Sequence, residues 1–170
     1  SAPIKKLVDK FLDNPKLVEV STASSTADTI TQSIVFAQPR AKRQTLRDII
    51  RAEEVKNGII FCNRKVDLKE LYKSMKRHDF SVGELHGDMD QTSRMETLKA
   101  FKDNEIQLLV ASDVAARGLD IPDVSHVFNF DIPSTAEDYV HRIGRTGRAG
   151  RKGTAITIAT KGKNDQKWLK

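Results

Sequence analysis

The sequence predicts an α/β domain with a mostly parallel central sheet covered by helices on both faces. Short runs rich in Ile, Val and Phe alternate with stretches whose apolar residues recur at the helical period, which is the pattern of strands buried on both faces and joined by helices. A length of 170 residues suits one ordinary domain and is too short for two of full size. Asn63, His86 and Ser112 each stand at or just after the end of an apolar run, and α/β folds gather their ligands at the carboxyl ends of strands.

Taken in order, residues 3–12 carry a helix-period stripe of Ile4, Leu7, Val8, Phe11 and Leu12, with Pro3 in the first turn and Asn14-Pro15 as the stop. Residues 21–29 are Ser, Thr and Ala without a hydrophobic period, a loop before the strand at 30–37. Helix 42–54 precedes strand 58–62, helix 66–78 precedes strand 81–85, and helix 91–102 precedes strand 106–110. Strand 124–130, helix 135–143 and strand 154–159 follow, with a short basic helix at 165–169. No internal repeat is evident.

The composition narrows the function classes. Lys and Arg total 29 against 23 Asp and Glu, a net charge of +6, and the sequence pI near 9.5 points to a polyanionic partner. Aromatic residues make up only 6%, too few for a surface of base-stacking platforms, so any nucleic-acid contact should run to the backbone. Cys62 is the single cysteine and has no disulfide partner in the chain; in the apolar run Ile59-Ile60-Phe61-Cys62 it reads as a core thiol. There is no long uncharged apolar stretch, signal-peptide pattern or Asn-x-Ser/Thr sequon, so a cytoplasmic setting without membrane contact is the expectation.

Residues 141–153, His-Arg-Ile-Gly-Arg-Thr-Gly-Arg-Ala-Gly-Arg-Lys-Gly, concentrate Arg142, Arg145, Arg148, Arg151 and Lys152 without one acidic residue. Guanidinium forks bind phosphate oxygens bidentately, and glycine lets a backbone approach a polyanion closely. The three-residue spacing predicts that the arginines share nearly one side of a helical turn and converge on one ligand, against the alternative of a solvated basic loop.

Three further segments demand a common explanation with it: Ile59-Ile60-Phe61-Cys62-Asn63-Arg64, His86-Gly87-Asp88-Met89-Asp90-Gln91-Thr92-Ser93-Arg94, and Ala111-Ser112-Asp113-Val114-Ala115-Ala116-Arg117-Gly118-Leu119-Asp120. In order and spacing the set resembles the second RecA-like domain of a DEAD-box ATP-dependent RNA helicase of bacterial type. The resemblance implies a three-layer αβα sandwich, with residues 1–20 as a linker and short helix following the first helicase domain and 21–170 as the C-terminal RecA-like domain.

It further implies that Arg145 and Arg148 are arginine fingers for an ATP held mainly by the N-terminal RecA-like domain, where a guanidinium stabilises charge on the transferring phosphoryl group. Asp120, with Gly118, matches the position that accepts a hydrogen bond from the ATP ribose; the alternative is a turn aspartate before Ile121-Pro122. Gly87, Arg94 and Ser112 fall where the family touches the RNA backbone, Ser112 replacing the usual threonine. Asn63 and Arg64 extend that set, with Arg64 where threonine is common. His141, Arg142, Arg117 and Gln91 are implied in coupling between domains, against the alternatives of local packing for His141 and Arg142, a surface salt bridge for Arg117, and helix capping for Gln91.

No zinc site is expected, because none of the four histidines has Cys or His partners at ligand spacing. A Ser112–His141–Asp120 hydrolase triad lacks a Gly-x-Ser-x-Gly elbow. The chain has neither a Gly-x-x-x-x-Gly-Lys-Ser/Thr loop nor an Asp-Glu dipeptide, so ATP and Mg2+ would be held mainly by the other domain and this chain alone should not hydrolyse ATP. The opening Ser1-Ala2-Pro3-Ile4 suggests a piece of a longer polypeptide. A DNA helicase or translocase of the same superfamily and a non-catalytic RNA-binding module are the competing readings, separated by dependence on the RNA 2′-hydroxyl and by the length of the native reading frame.

Overall fold

The apolar runs form strands and the helix-period stretches form helices in the computed structural model, whose described residues are 17–19 and 29–160. In chain order these are β1 (Leu17–Glu19), β2 (Ile30–Phe36), α1 (Lys42–Ala52), β3 (Gly58–Phe61), α2 (Lys65–Arg77), β4 (Val82–Leu85), α3 (Gln91–Lys102), β5 (Leu108–Ala111), α4 (Asp113–Ala116), β6 (His126–Asn129), α5 (Ala136–Ile143) and β7 (Gly153–Ala159). They make one sheet in the order β1-β2-β7-β6-β3-β5-β4. The β1 edge is antiparallel to β2, and every other pairing is parallel.

Side-chain alternation along the strands builds two cores. Ile60, Cys62, Val110 and Phe128 pack with Leu46, Ile49 and Ile50 of α1 and Leu68, Leu71 and Met75 of α2. Ile59, Phe61, Leu109 and Val127 pack on the other face with Leu98 and Phe101 of α3, Ala115 and Ala116 of α4, and Tyr139 and Ile143 of α5. Helices on both faces explain why β3, β5 and β6 are buried at every position and read as continuous apolar runs. The Cys62 thiol lies in the first core, where burial raises its pKa above the ordinary thiol range.

Among the described helices three begin with side-chain caps. Asp90 accepts from Ser93 N at 2.7 Å, Ser112 from Ala115 N at 3.3 Å and Thr135 from Asp138 N at 3.0 Å. Each satisfies a free N–H of the first turn, which is worth about 1 kcal/mol. Asp90 therefore occupies the capping role offered for Gln91, which is the first, exposed residue of α3.

The basic segment corrects the expectation of a shared helical side. Helix α5 ends at Ile143, Gly147 adopts φ +70°, and a 3-10 turn spans Arg148–Gly150. A Cβ on Gly147 would lie 2.7 Å from Ile30 Cγ1, and one on Gly153 2.6 Å from Gly147 N. These two glycines let the segment close against its own domain, with Arg142 engaging Asp113 while Arg145 and Arg148 engage the stretch at 116–121.

The four-residue α4 and strand β1 are additions to the elements read from the sequence. The helices expected at 3–12 and 165–169, and the loop at 21–29 apart from Thr29, lie outside the described residues. No helix among the described residues is long and apolar enough to cross a membrane.

Candidate functional site

Strands β4, β5, β3 and β6 end side by side. Ser112 N donates to Leu85 O at 3.1 Å, Cys62 N to Ala111 O at 3.1 Å, and Phe130 N to Phe61 O at 3.0 Å. These bonds set Gly87, Ser112, Asn63 and Asp131 in a row along the carboxyl edge of the sheet. Gly87 is exposed, and a Cβ placed there would meet nothing within 4 Å, so a ligand has open access to its backbone.

The loop that carries Gly87 is held at both sides. Buried His86 accepts from Asp88 N at 3.2 Å through Nδ1, while its enclosed Nε2, 3.4 Å from Glu84 Oε2, makes no hydrogen bond. Asp88 receives Lys65 and Lys69 of α2, each at 2.8 Å, and these hydrogen bonds bring its carboxyl down to about 2. Arg94, in the first turn of α3, has an enclosed Nε without a hydrogen-bond partner. A buried unpaired donor of a cation beside a helix start fits an anionic ligand. Arg64 is exposed and stands 3.9 Å from Asp67.

Arg142 is the structural centre of the edge. It is 1% exposed and forms a fork with Asp113, Nε to Oδ1 and Nη2 to Oδ2, both at 2.7 Å. Nη1 donates to Asp131 O at 2.9 Å, Nη2 also donates to Asn63 Oδ1 at 2.5 Å, and the guanidinium lies over the Phe61 ring at 5.3 Å. Asn63 is held in turn: its backbone N donates to Asp131 Oδ2 at 2.9 Å and its Nδ2 to Ile132 O at 2.8 Å. Both functions of the Asn63 amide are thus committed inside the domain, and so is the Arg142 side chain. His141 is half-exposed on the same helix, with Nε2 3.9 Å from Glu137.

Arg145 and Arg148 sit lower on the face covered by α3, α4 and α5, against the crossover from β5 to β6. Arg145 donates to Ala116 O at 3.1 Å and Leu119 O at 3.4 Å; Arg148 donates to Ile121 O at 3.0 Å and Gly144 O at 2.9 Å. Asp123 fixes the turn by accepting from Arg148 N at 3.0 Å, and Thr146 Oγ1 donates to Val124 O. The same crossover carries exposed Gly118 and Asp120. Burial lowers the Arg145 pKa, the Arg148 charge lowers it further and the Asp120 carboxylate opposes. Each fork retains donors of its five beyond those bonds. Arg117 ties the crossover to α5 through Asp138 at 2.5 Å.

Two guanidinium forks from the segment after α5 thus lean on the crossover that carries the Asp120 carboxylate. Among the described residues no three His, Cys, Asp or Glu stand together to hold a metal ion. No hydrogen bond joins Ser112, His141 and Asp120, and the Ser112 hydroxyl caps α4. The acids missing from the basic segment come from elsewhere in the chain: Asp113 for Arg142 and Asp123 for the backbone of Arg148. Asp113, Asp123, Asp131 and Asp138 are the participants that sequence reasoning missed. The only signal for Asp113 was its place beside Ser112 in a motif already singled out.

The helicase conserved C-terminal domain family matches residues 41–150. The chain is 42% identical over 158 residues to the DEAD-box ATP-dependent RNA helicase RhpA of Helicobacter pylori, covering 93% of this chain and 32% of that protein. It is 42% identical over 159 residues to the DEAD-box ATP-dependent RNA helicase CshA of Bacillus subtilis, covering 94% and 32%. The chain therefore spans about a third of the length of these relatives. Its fold is similar to the C-terminal domain of the DEAD-box protein Dbp5, with TM-score 0.75, 35% identity and coverage of 84% of this chain and 82% of that one. It is also similar to a DEAD box protein from Methanococcus jannaschii, with TM-score 0.76, 38% identity and coverage of 84% and 38%. With a parallel sheet that aligns the four motifs along its carboxyl edge and one adjoining face, the chain belongs to the DEAD-box RNA helicases as a helicase C-terminal domain.

Proposed function

We propose that this domain is half of an RNA-dependent ATP motor, completing a nucleotide site on closure against an N-terminal RecA-like domain of the same polypeptide, with residues 1–20 as the linker. The observation that carries the reading is the shared anchorage of Arg145 and Arg148 on the crossover that presents Asp120. Both forks are preorganised there by backbone carbonyls and keep further N–H groups for phosphate oxygens. Asp120, with open space at Gly118, takes the sugar hydroxyls.

ATP would supply the phosphoryl group, and the Mg2+ it carries, held mainly by the other domain, would offset phosphate charge. Arg145 and Arg148 stabilise charge on the equatorial oxygens as the phosphoryl group transfers. Gly87, Arg94, Ser112 and Arg64 hold the sugar-phosphate backbone of RNA along the carboxyl edge. Asn63, exposed on that edge, is joined to Arg142 and through it to Asp113, so movement at the RNA row is felt on the nucleotide face. His141 and Gln91, both exposed, face the other domain, and Arg117 keeps the crossover attached to α5.

In the full-length protein, Arg148→Ala is expected to lower RNA-stimulated ATP hydrolysis by about three orders of magnitude or more while ATP affinity stays near wild type. Unchanged turnover would remove Arg148 from the finger role.

A further inference from the structure

The opposite face carries a second concentration of arginine. Helices α1 and α2 lie there side by side, and their cations fall into two groups. Toward the carboxyl edge the charges are matched: Lys42 pairs with Asp131, Lys65 and Lys69 with Asp88, and Arg40 and Arg43 line a hollow of about 300 Å3 with Asp67 and Glu70. Farther along, Arg47, Arg51, Lys73, Lys76 and Arg77 make no ion pair with a described residue.

Arg43, Arg47 and Arg51 are one helical turn apart. Arg47 leans across to α2, donating to Ser74 Oγ at 3.3 Å, and Arg51 lies 4.9 Å over the Phe80 ring. Arg77 belongs to the last turn of α2. Burial lowers the Arg47 pKa, and Arg51, Arg43 and Arg77 lower it further, with Asp48 opposing. Like charges on neighbouring helical turns repel one another, and a bound anion would offset that repulsion.

We propose that Arg47, Arg51 and Arg77 form an accessory site for the sugar-phosphate backbone of RNA on the α1–α2 face, outside the strand held at the carboxyl edge. The proposal rests on the RNA reading above for the class of polyanion. Three side features favour RNA over an acidic protein segment. The three groups are all forks, which suit phosphate. Successive turns put Arg47 and Arg51 about 6 Å apart along the helix, a spacing suited to successive phosphates of one strand. The patch also lacks an apolar anchor point: Arg51 and Lys76 cover the Phe80 and Tyr72 rings, and of the exposed large hydrophobics Met95, Val114 and Val140 lie off these helices while Val66 stands at the opposite end of α2 from Arg77.

The test is fluorescence anisotropy of this chain with a short RNA of about six nucleotides and a long one of about twenty, titrated at several salt concentrations. Replacing Arg47, Arg51 and Arg77 together by Gln should weaken the long RNA about tenfold or more and flatten its salt slope by about 2, at about 0.7 per lost phosphate contact. The short RNA should bind as before, and replacement by Lys should restore most of the long-RNA affinity. Equal loss on both RNAs, or none on the long one, overturns the site. If the triple Gln variant fails to melt like wild type, Arg51→Gln and Arg77→Gln serve singly, with a loss confined to the long RNA supporting the site and none overturning it. Retained RNA binding with loss of affinity for a polyglutamate peptide overturns it in favour of an acidic protein partner. Arg94→Gln separates the two readings: it should weaken both RNAs, and if it weakens neither while the triple variant weakens the long one, the edge assignment fails and the accessory site stands.

Discussion

Removing the Asp113 carboxylate leaves Arg142 as a buried cation without its counter-ion. Arg142 is 1% exposed, and its fork onto Asp113 has two bonds of 2.7 Å. Breaking one partner of such a pair costs about 3 to 5 kcal/mol. The Asp113 side chain is 23% exposed, so water reaches the site and the lower end applies, about 3 kcal/mol for Asp113→Ala. Acceptors at the Asn63 amide and the Asp131 backbone carbonyl remain, but both are neutral, and the Asp131 carboxylate is already paired with Lys42. For a domain of this size about 3 kcal/mol corresponds to a fall of about 6 to 12 °C in Tm. Urea unfolding followed by far-UV circular dichroism reads the loss directly. Replacing Asp113 by Leu and Arg142 by Met together should cost at least about 1 kcal/mol less than the sum of the single changes, because no unpaired charge is left. An Asp113→Ala protein within about 0.5 kcal/mol of wild type would refute the reasoning.

Asp88 should titrate near pH 2 in an NMR experiment, and Lys65→Met with Lys69→Met should return it to the ordinary carboxylate range. Its folded pKa is depressed, so the contact stabilises above the unfolded value and fades as pH falls toward 2; an ordinary midpoint in the wild type would disprove the two lysine bonds. Gly147→Ala should unfold at lower urea than Gly150→Ala. Both positions have positive φ, worth about 1 to 2 kcal/mol against alanine, but only the first also drives a Cβ to 2.7 Å from Ile30. The Cys62 thiol should resist a thiol reagent in the native protein and react on unfolding; rapid native labelling would contradict its place in the core.

Much of this fold was legible because helices on both faces bury β3, β5 and β6 completely. Runs such as Ile59-Ile60-Phe61 then stand out from the periodic helices, and α3 runs over Gln91–Lys102 as the pattern predicts. Helix α4 was hidden because four residues hold little more than one helical turn, too short for a period. The basic segment misled for a different reason. Three-residue spacing implies a shared side only while the chain stays helical, and Gly147 takes it out of the helix. Its apparent lack of acids was a local view, since Asp113 is 29 residues from Arg142 and reaches it only through the β5–β6 crossover. Asn63 illustrates the same limit: its motif was visible, but that Arg142 and Ile132 engage its amide was not.

The most direct test of the central claim is ATP hydrolysis by this chain with and without the first helicase domain of its parent, each with single-stranded RNA or matching DNA. The account predicts hydrolysis only when both domains and RNA are present, and loss of that activity with Arg148→Ala. Equal stimulation by DNA would contradict the RNA assignment, and silence of the complete pair would contradict the motor itself.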